Sequence, residues 1–179
     1  MFYYEYYFKE NFFSDKECDQ ILKHYENNIF SKDEGGAGFK KAQSFVSLLK
    51  DKDPYISYIN DFVMYNNREY FGLDIDEAPS SVNINNYEND NNNYDWHIDS
   101  SSEGSLRDIK ITVILNISEN NNFSGGDFYI APGRKRLVKE IRSKGSILIF
   151  PSYFPHKVTN VTNGKRTSLS AWYKGPKLK

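Results

Sequence analysis

Apolar residues recur every three to four positions near the N-terminus and every second position through much of the rest, so the sequence predicts helices followed by strands. Cys18, Ile21, Leu22 and Tyr25 share one helical face. Ahead of them, Ser14 and Glu17 have the spacing of a capping box, so a helix is expected from about Asp15 to Asn27. Asp53-Pro54 reads as an N-cap with proline at the first helical position. Ile56, Ile59, Phe62 and Val63 carry that second helix to about Tyr70. Residues 3–8 and 45–49 are β-prone, and the glycines at 35–38 predict a loop. Beyond Pro79, β-prone runs cover 81–87, 94–100, 108–117, 127–131, 137–141, 146–150, 156–161 and 166–173. Asn, Gly, Ser or Pro separates most of them. Eight short strands at this spacing predict a mainly β fold with N-terminal helices, a sandwich or jelly roll rather than a parallel sheet.

A chain of 179 residues suits one domain spanning 1–179, with a helical support region at 1–78 and the β core at 79–176. No run of about 18 apolar residues is present, so no membrane partner is expected. The start, Met1-Phe-Tyr-Tyr, lacks the basic and long apolar segments of a secretory signal. Cys18 is the only cysteine, which excludes an internal disulfide and fits a reducing, cytoplasmic setting. Net charge is −1 without a long basic run, which argues against a nucleic-acid partner. The basic tail from Lys174 reads as a solvated terminus.

The candidate chemistry lies in the β region. His97-Ile98-Asp99 falls inside an expected strand, where residues two apart point to the same face. An imidazole and a carboxylate therefore project together, with Trp96 and Ile98 on the other face. His156 opens another expected strand. Two histidines and one carboxylate, with the remaining coordination positions open, are the ligand set of non-haem iron(II) oxygenases. Asp95 shares the His97 face and is expected at the strand mouth, solvated or supporting a ligand. His24 is expected at the surface of the first helix. Ten residues past His156, Arg166 opens the last β-run, and Ser168 shares its face. An arginine fork suits a carboxylate, as 2-oxoglutarate requires when its other end chelates iron. Lys165 is the rival anchor.

Several motifs in one order carry a family resemblance over residues 82–175. They are Tyr87 ten positions before His97-x-Asp99, the run from Ile111 to Asn116, Phe123-Ser-Gly-Gly-Asp-Phe128 and Lys144-Gly-Ser-Ile-Leu-Ile-Phe-Pro151. His156 with Arg166-Thr-Ser168, then Trp172-Tyr173, complete the set. Together they resemble the prolyl 4-hydroxylase-like, PKHD-type group of 2-oxoglutarate/Fe(II) dioxygenases. The resemblance implies a double-stranded β-helix (jelly roll, cupin-like). It assigns His97, Asp99 and His156 to Fe(II), and Arg166 to the far carboxylate of 2-oxoglutarate. It adds Tyr87, whose hydroxyl reaches that carboxylate, and Tyr94 as a further aromatic near the pocket. O₂ is the oxidant and ascorbate the expected reductant. Asp99 favours hydroxylation, because related halogenases lack this carboxylate. Two departures stand out. Ile114 or Leu115 occupies a region where some relatives carry tyrosine, and Arg166 stands where many animal prolyl 4-hydroxylases use lysine.

The expected reaction is oxidative decarboxylation of 2-oxoglutarate to succinate and CO₂, coupled to hydroxylation of a prolyl residue in a peptide or protein. Other side chains or a small molecule are alternative substrates. Trp172 and Phe150 are candidates for an apolar wall around the iron. The Asn-rich stretch 89–93 and the Ser-rich stretch 100–105 are expected to form a mobile rim. Two rival readings are a non-catalytic β-sandwich module with a structural or vestigial metal, and a cupin-like metal enzyme that does not use 2-oxoglutarate.

Overall fold

Ser14 and Glu17 make both bonds of the capping box: the Glu17 N–H donates to Ser14 Oγ at 3.4 Å, and the Ser14 N–H to Glu17 Oε2 at 2.8 Å. They start helix α1 (Asp15–Glu26), after a short strand β1 (Tyr7–Lys9). Strands β2 (Ile29–Asp33) and β3 (Gln43–Leu48) follow, then helix α2 (Pro54–Asn66). The second helix starts as expected at Asp53, whose Oδ1 accepts from the N–H groups of Tyr55 and Ile56 at 3.0 and 2.9 Å. The α-helix stops at Asn66, and a wider π-type turn over Asn67–Phe71 closes on Gly72. His24 corrects an expectation. It is half-buried rather than a plain surface residue, with Nε2 2.8 Å from Oδ2 of Asp53, so it ties α1 to the cap of α2.

The structure, a computed structural model, describes residues 4–33, 40–50, 53–88, 92–99 and 106–177. The expected glycine loop, the Ser-rich stretch and all of the Asn-rich stretch except Asn92 and Asn93 lie outside them. The later strands are β4 (Ser81–Glu88), β5 (Tyr94–His97), β6 (Arg107–Asn116), β7 (Phe123–Gly125), β8 (Phe128–Ile130) and β9 (Arg136–Leu137). Strands β10 (Ile147–Pro151), β11 (His156–Val158) and β12 (Val161–Pro176) complete the order. The run expected at 137–141 divides into the two residues of β9 and a 3₁₀ turn at Glu140–Arg142. The first 78 residues also contribute β1, β2 and β3 to the larger sheet.

Among the described residues, that sheet runs β1-β10-β6-β12-β4-β3-β2, with β7 also on β12, and the smaller one runs β5-β11-β8-β9. All named pairings are antiparallel. Period-two alternation then divides the side chains of the larger sheet between two layers. Ile84, Ile111, Val113, Leu115, Ile147, Ile149, Leu169, Ala171 and Tyr173 face the helices and pack with Cys18, Ile21, Tyr25, Ile59 and Val63. Fully burying one such side chain contributes roughly 1.5–3 kcal/mol, which anchors both helices to the sheet. The intervening residues face the smaller sheet, and there the apolar pattern is broken by Tyr87, Thr112, Arg166, Ser168 and Trp172. No helix among the described residues is long and apolar enough to cross a membrane.

Candidate active site

The register of the smaller sheet brings the two histidines together. His97 ends β5 and His156 begins β11, and they are direct cross-strand partners with ring centroids 4.1 Å apart. Each ring is oriented by a backbone carbonyl. Nδ1 of His97 lies 2.7 Å from the Asp95 carbonyl oxygen, and Nδ1 of His156 lies 3.1 Å from that of Phe154. A carbonyl only accepts, so each Nδ1 carries the proton and each Nε2 turns inward. Burial, then the neighbouring His156, lowers the His97 pKa to about 4, so its Nε2 presents a lone pair at neutral pH.

Asp99 reaches the same point by a different route from the one strand alternation suggests. The strand ends at His97, and Asp99 lies beyond it. Its N–H donates to the Ser152 carbonyl at 3.0 Å. Thr112 Oγ1 and Trp172 Nε1 each donate to its Oδ2 at 2.9 Å. His97 Nε2 is 3.5 Å from Oδ1, and His156 Nε2 is 3.5 Å from Oδ2. Burial pushes the Asp99 carboxyl up, but the adjacent His156 first, then His97 and the Trp172 N–H, outweigh it and hold the pKa down to about 2. One ligand atom from each of His97, Asp99 and His156 falls within 4.8 Å of the others. An ionised carboxylate and two inward-turned imidazoles fit a transition-metal cation.

The larger sheet supplies a cation to the same cavity. Arg166 is 2% exposed and pairs in register with Tyr87, its guanidinium carbon 5.2 Å from the ring centroid. Its Nη1 donates to Ser168 Oγ at 3.4 Å. Burial lowers the Arg166 pKa, while the facing Tyr87 opposes the shift; burial raises that of the Tyr87 phenol. No carboxylate among the described residues lies within ion-pair distance of Arg166. Lys165, the neighbouring cation, turns outward, half exposed, to Glu88 at 3.2 Å. A buried guanidinium without an acidic partner suits an anionic ligand, because an unpaired buried charge is otherwise destabilising.

The seven residues assigned from the sequence to the metal or the cosubstrate (Tyr87, Tyr94, His97, Asp99, His156, Arg166 and Ser168) line this one cavity. Tyr94 lies against His97 rather than among the groups around Arg166. Asp95 is exposed, and it contributes its carbonyl instead of its carboxylate. Of the two candidates for an apolar wall, Phe150 packs edge-on against His156 with centroids 4.8 Å apart, whereas Trp172 acts through its N–H. Of the two residues in the region where some relatives carry tyrosine, Ile114 lines the cavity and Leu115 faces the helices. Thr112, Asn85, Asp33 and Lys40 also line the cavity and were not foreseen. Polar residues on the inner face of apolar strands signal Thr112 and Asn85. No pattern marks Lys40, whose ammonium is 2.8 Å from Asp33 and lies over the Tyr94 ring.

A profile of the 2OG-Fe(II) oxygenase superfamily matches residues 82–174. A PKHD-type hydroxylase of Shewanella oneidensis is 36% identical over 84 residues, 44% of this chain and 36% of that protein. One from Synechococcus sp. strain CC9311 is 35% identical over 80 residues, 44% of this chain and 35% of that protein. The aligned segment thus spans about a third of these curated relatives. Among solved structures, a prolyl-4-hydroxylase of Pseudomonas putida superposes with a TM-score of 0.70 at 14% identity, covering 97% of this chain and 94% of that one. The viral collagen prolyl hydroxylase of Paramecium bursaria Chlorella virus-1, solved with 2OG, gives 0.72 at 16% identity, covering 96% and 97%. These structural likenesses establish the double-stranded β-helix fold.

Proposed function

We propose, from the premise that the chain belongs to the 2OG-Fe(II) oxygenase superfamily, that it is a hydroxylase using 2-oxoglutarate and O₂. In this reading His97, Asp99 and His156 hold Fe(II), and Arg166 anchors the far carboxylate of 2-oxoglutarate. The observation that carries the reading is the placement of a buried guanidinium, with no carboxylate among the described residues at ion-pair distance, in the same cavity as the two imidazoles and the carboxylate. A metal site alone would leave Arg166 unexplained. For that reason a structural-metal module and a metal enzyme without 2-oxoglutarate are weaker readings.

Bound iron would supply O₂ activation coupled to decarboxylation of 2-oxoglutarate to succinate and CO₂. The chain's own residues do the rest. The backbone carbonyls of Asp95 and Phe154 hold the Nδ1 protons and orient both imidazoles. Arg166, with Ser168 and Tyr87 beside it, presents a directional charged donor to a carboxylate. Phe128 and Phe150 flank His156 with apolar rings and exclude water from that side.

A prolyl residue of a peptide or protein is the substrate we favour. The PKHD-type hydroxylases and the prolyl hydroxylase structures support that choice, including one from Trichoplax adhaerens in complex with a hypoxia inducible factor peptide fragment. The test is incubation with Fe(II), 2-oxoglutarate and O₂, with succinate and oxidised peptide followed by mass spectrometry. Succinate formation that requires both Fe(II) and Arg166 supports the reading. No turnover by folded, iron-loaded protein, with or without a panel of prolyl peptides, contradicts it.

A further inference from the structure

Asp99 raises a question that the three-ligand description leaves open. A carboxylate can bind a metal through one oxygen or two, and the strand that would fix this side chain ends two residues earlier. Its conformation must therefore be set by other parts of the molecule.

We infer that Thr112 and Trp172 are positioning residues that hold Asp99 as a one-oxygen metal ligand, bound through Oδ1 while their donors occupy Oδ2. The inference rests on the reading of His97, Asp99 and His156 as an iron site. Thr112 on β6 and Trp172 on β12 are directly opposite in register, so both stand on the inner face side by side. Each donor is 2.9 Å from the same oxygen. A carboxylate oxygen has about two lone-pair sites, so Oδ2 is filled and Oδ1 is left for a cation.

The proton count extends the chain by one residue. Thr112 Oγ1 is also 2.9 Å from Ser152 Oγ. A threonine hydroxyl has one proton, and it goes to Asp99. Ser152 must then donate to Thr112, giving a directed relay from Ser152 through Thr112 to Asp99. Thr112 and Ser152 are 1% and 0% exposed, so water cannot readily substitute for either. Ser152 also fixes the Asp99 backbone through its carbonyl. The ligand is thereby held at main chain and side chain from β6, β12 and the end of β10.

The consequence is a coordination count. Two imidazoles and one carboxylate oxygen would leave the remaining positions of a bound Fe(II) open. A second carboxylate oxygen would take a position needed by 2-oxoglutarate, which chelates through two atoms, or by O₂. The two donors therefore preserve the open positions as well as orienting the ligand.

The test compares wild type with Thr112→Val, Thr112→Ser and Trp172→Phe, under anaerobic conditions. Fe(II) affinity is read by equilibrium dialysis, and cosubstrate chelation by the visible charge-transfer absorption that appears when 2-oxoglutarate is added. Circular dichroism checks the fold. Thr112→Val and Trp172→Phe are each expected to weaken Fe(II) binding by about 10–100-fold, the usual effect of losing a partner to a ligand, and to diminish the absorption. Thr112→Ser keeps the hydroxyl and stays close to wild type. Ser152→Ala, which removes only the outer donor, shifts affinity in the same direction by less and serves if a deeper variant fails to fold. Folded variants, Ser152→Ala included, that keep wild-type affinity and absorption overturn the inference alone. Wild type that binds no Fe(II) overturns it together with the iron-site reading.

Discussion

The ring of Tyr94 lies flat on the imidazole of His97, with centroids 3.4 Å apart and planes 9° from parallel. Both belong to β5, and the Nδ1–H of His97 is held by the Asp95 carbonyl between them. Stacking and the hydrogen bond together fix the rotation and tilt of one proposed ligand. Tyr94→Ala should weaken Fe(II) binding by about tenfold, the lower end of the range for losing support around a ligand. Tyr94→Phe keeps the stack and should bind almost as wild type. Dialysis of both variants decides between support by the ring and a role for the hydroxyl.

Arg166 and Lys165 are adjacent cations with opposite surroundings. Arg166 is buried behind Tyr87, whereas Lys165 is at the surface with Glu88. A charged hydrogen-bonded contact contributes about 1.5–3 kcal/mol, so Arg166→Ala should raise the dissociation constant for 2-oxoglutarate by roughly ten- to a hundredfold. Fe(II) affinity should stay close to wild type. A larger effect from Lys165→Ala in the same titration would assign the anchor to the wrong residue.

Gly126 lies under Arg166 at φ +65°, and a Cβ there would sit 2.9 Å from Arg166 Cδ and 3.0 Å from Val161 Cγ2. Gly126→Ala combines a left-handed backbone strain of about 1–2 kcal/mol with displacement of the guanidinium. Thermal melting should move down, and the cosubstrate dissociation constant should rise while Fe(II) binding holds. A variant with lowered stability but normal cosubstrate affinity would show that Arg166 adjusts around the new methyl.

The His97 pKa falls from 6.5 to about 4 in the folded chain. Between those values the unfolded chain binds more protons, so stability rises with pH. The contribution is therefore complete above about 6.5 and is lost as pH falls to about 4, by on the order of 3 kcal/mol. The carboxyl of Asp99, lowered from 3.8 to about 2, adds a further loss below that window. Melting of metal-free protein from pH 7 to 4.5 should show this slope, and His97→Gln should flatten it. Equal slopes in the two proteins would contradict the assignment.

The sequence exposes one kind of information well. The capping residues Ser14 and Asp53 mark the helix starts because their bonds are local. Alternation in β4, β6, β10 and β12 separates the helix-facing residues from those of the cavity. It is silent where contacts are distant. Thr112 and Trp172 meet Asp99 only because β6 and β12 pair in register, and no local spacing encodes that meeting. Asp99 does lie beside His97, but the backbone leaves the sheet before reaching it, so strand alternation is not what puts it there. Strand β2 escaped notice because its side chains are mostly exposed and carry no apolar period. The tie from His24 to Asp53 is illegible for a similar reason: the partners are 29 positions apart.

The central claim is that His97, Asp99 and His156 form one Fe(II) site beside the Arg166 anchor. Anaerobic Fe(II) titration with metal analysis after gel filtration tests it most directly. Wild type and His24→Ala should retain one iron per chain, whereas Asp99→Ala and His156→Ala, folded by circular dichroism, should retain almost none. Equal iron retention by all four proteins would contradict the account, because the metal would then be held elsewhere.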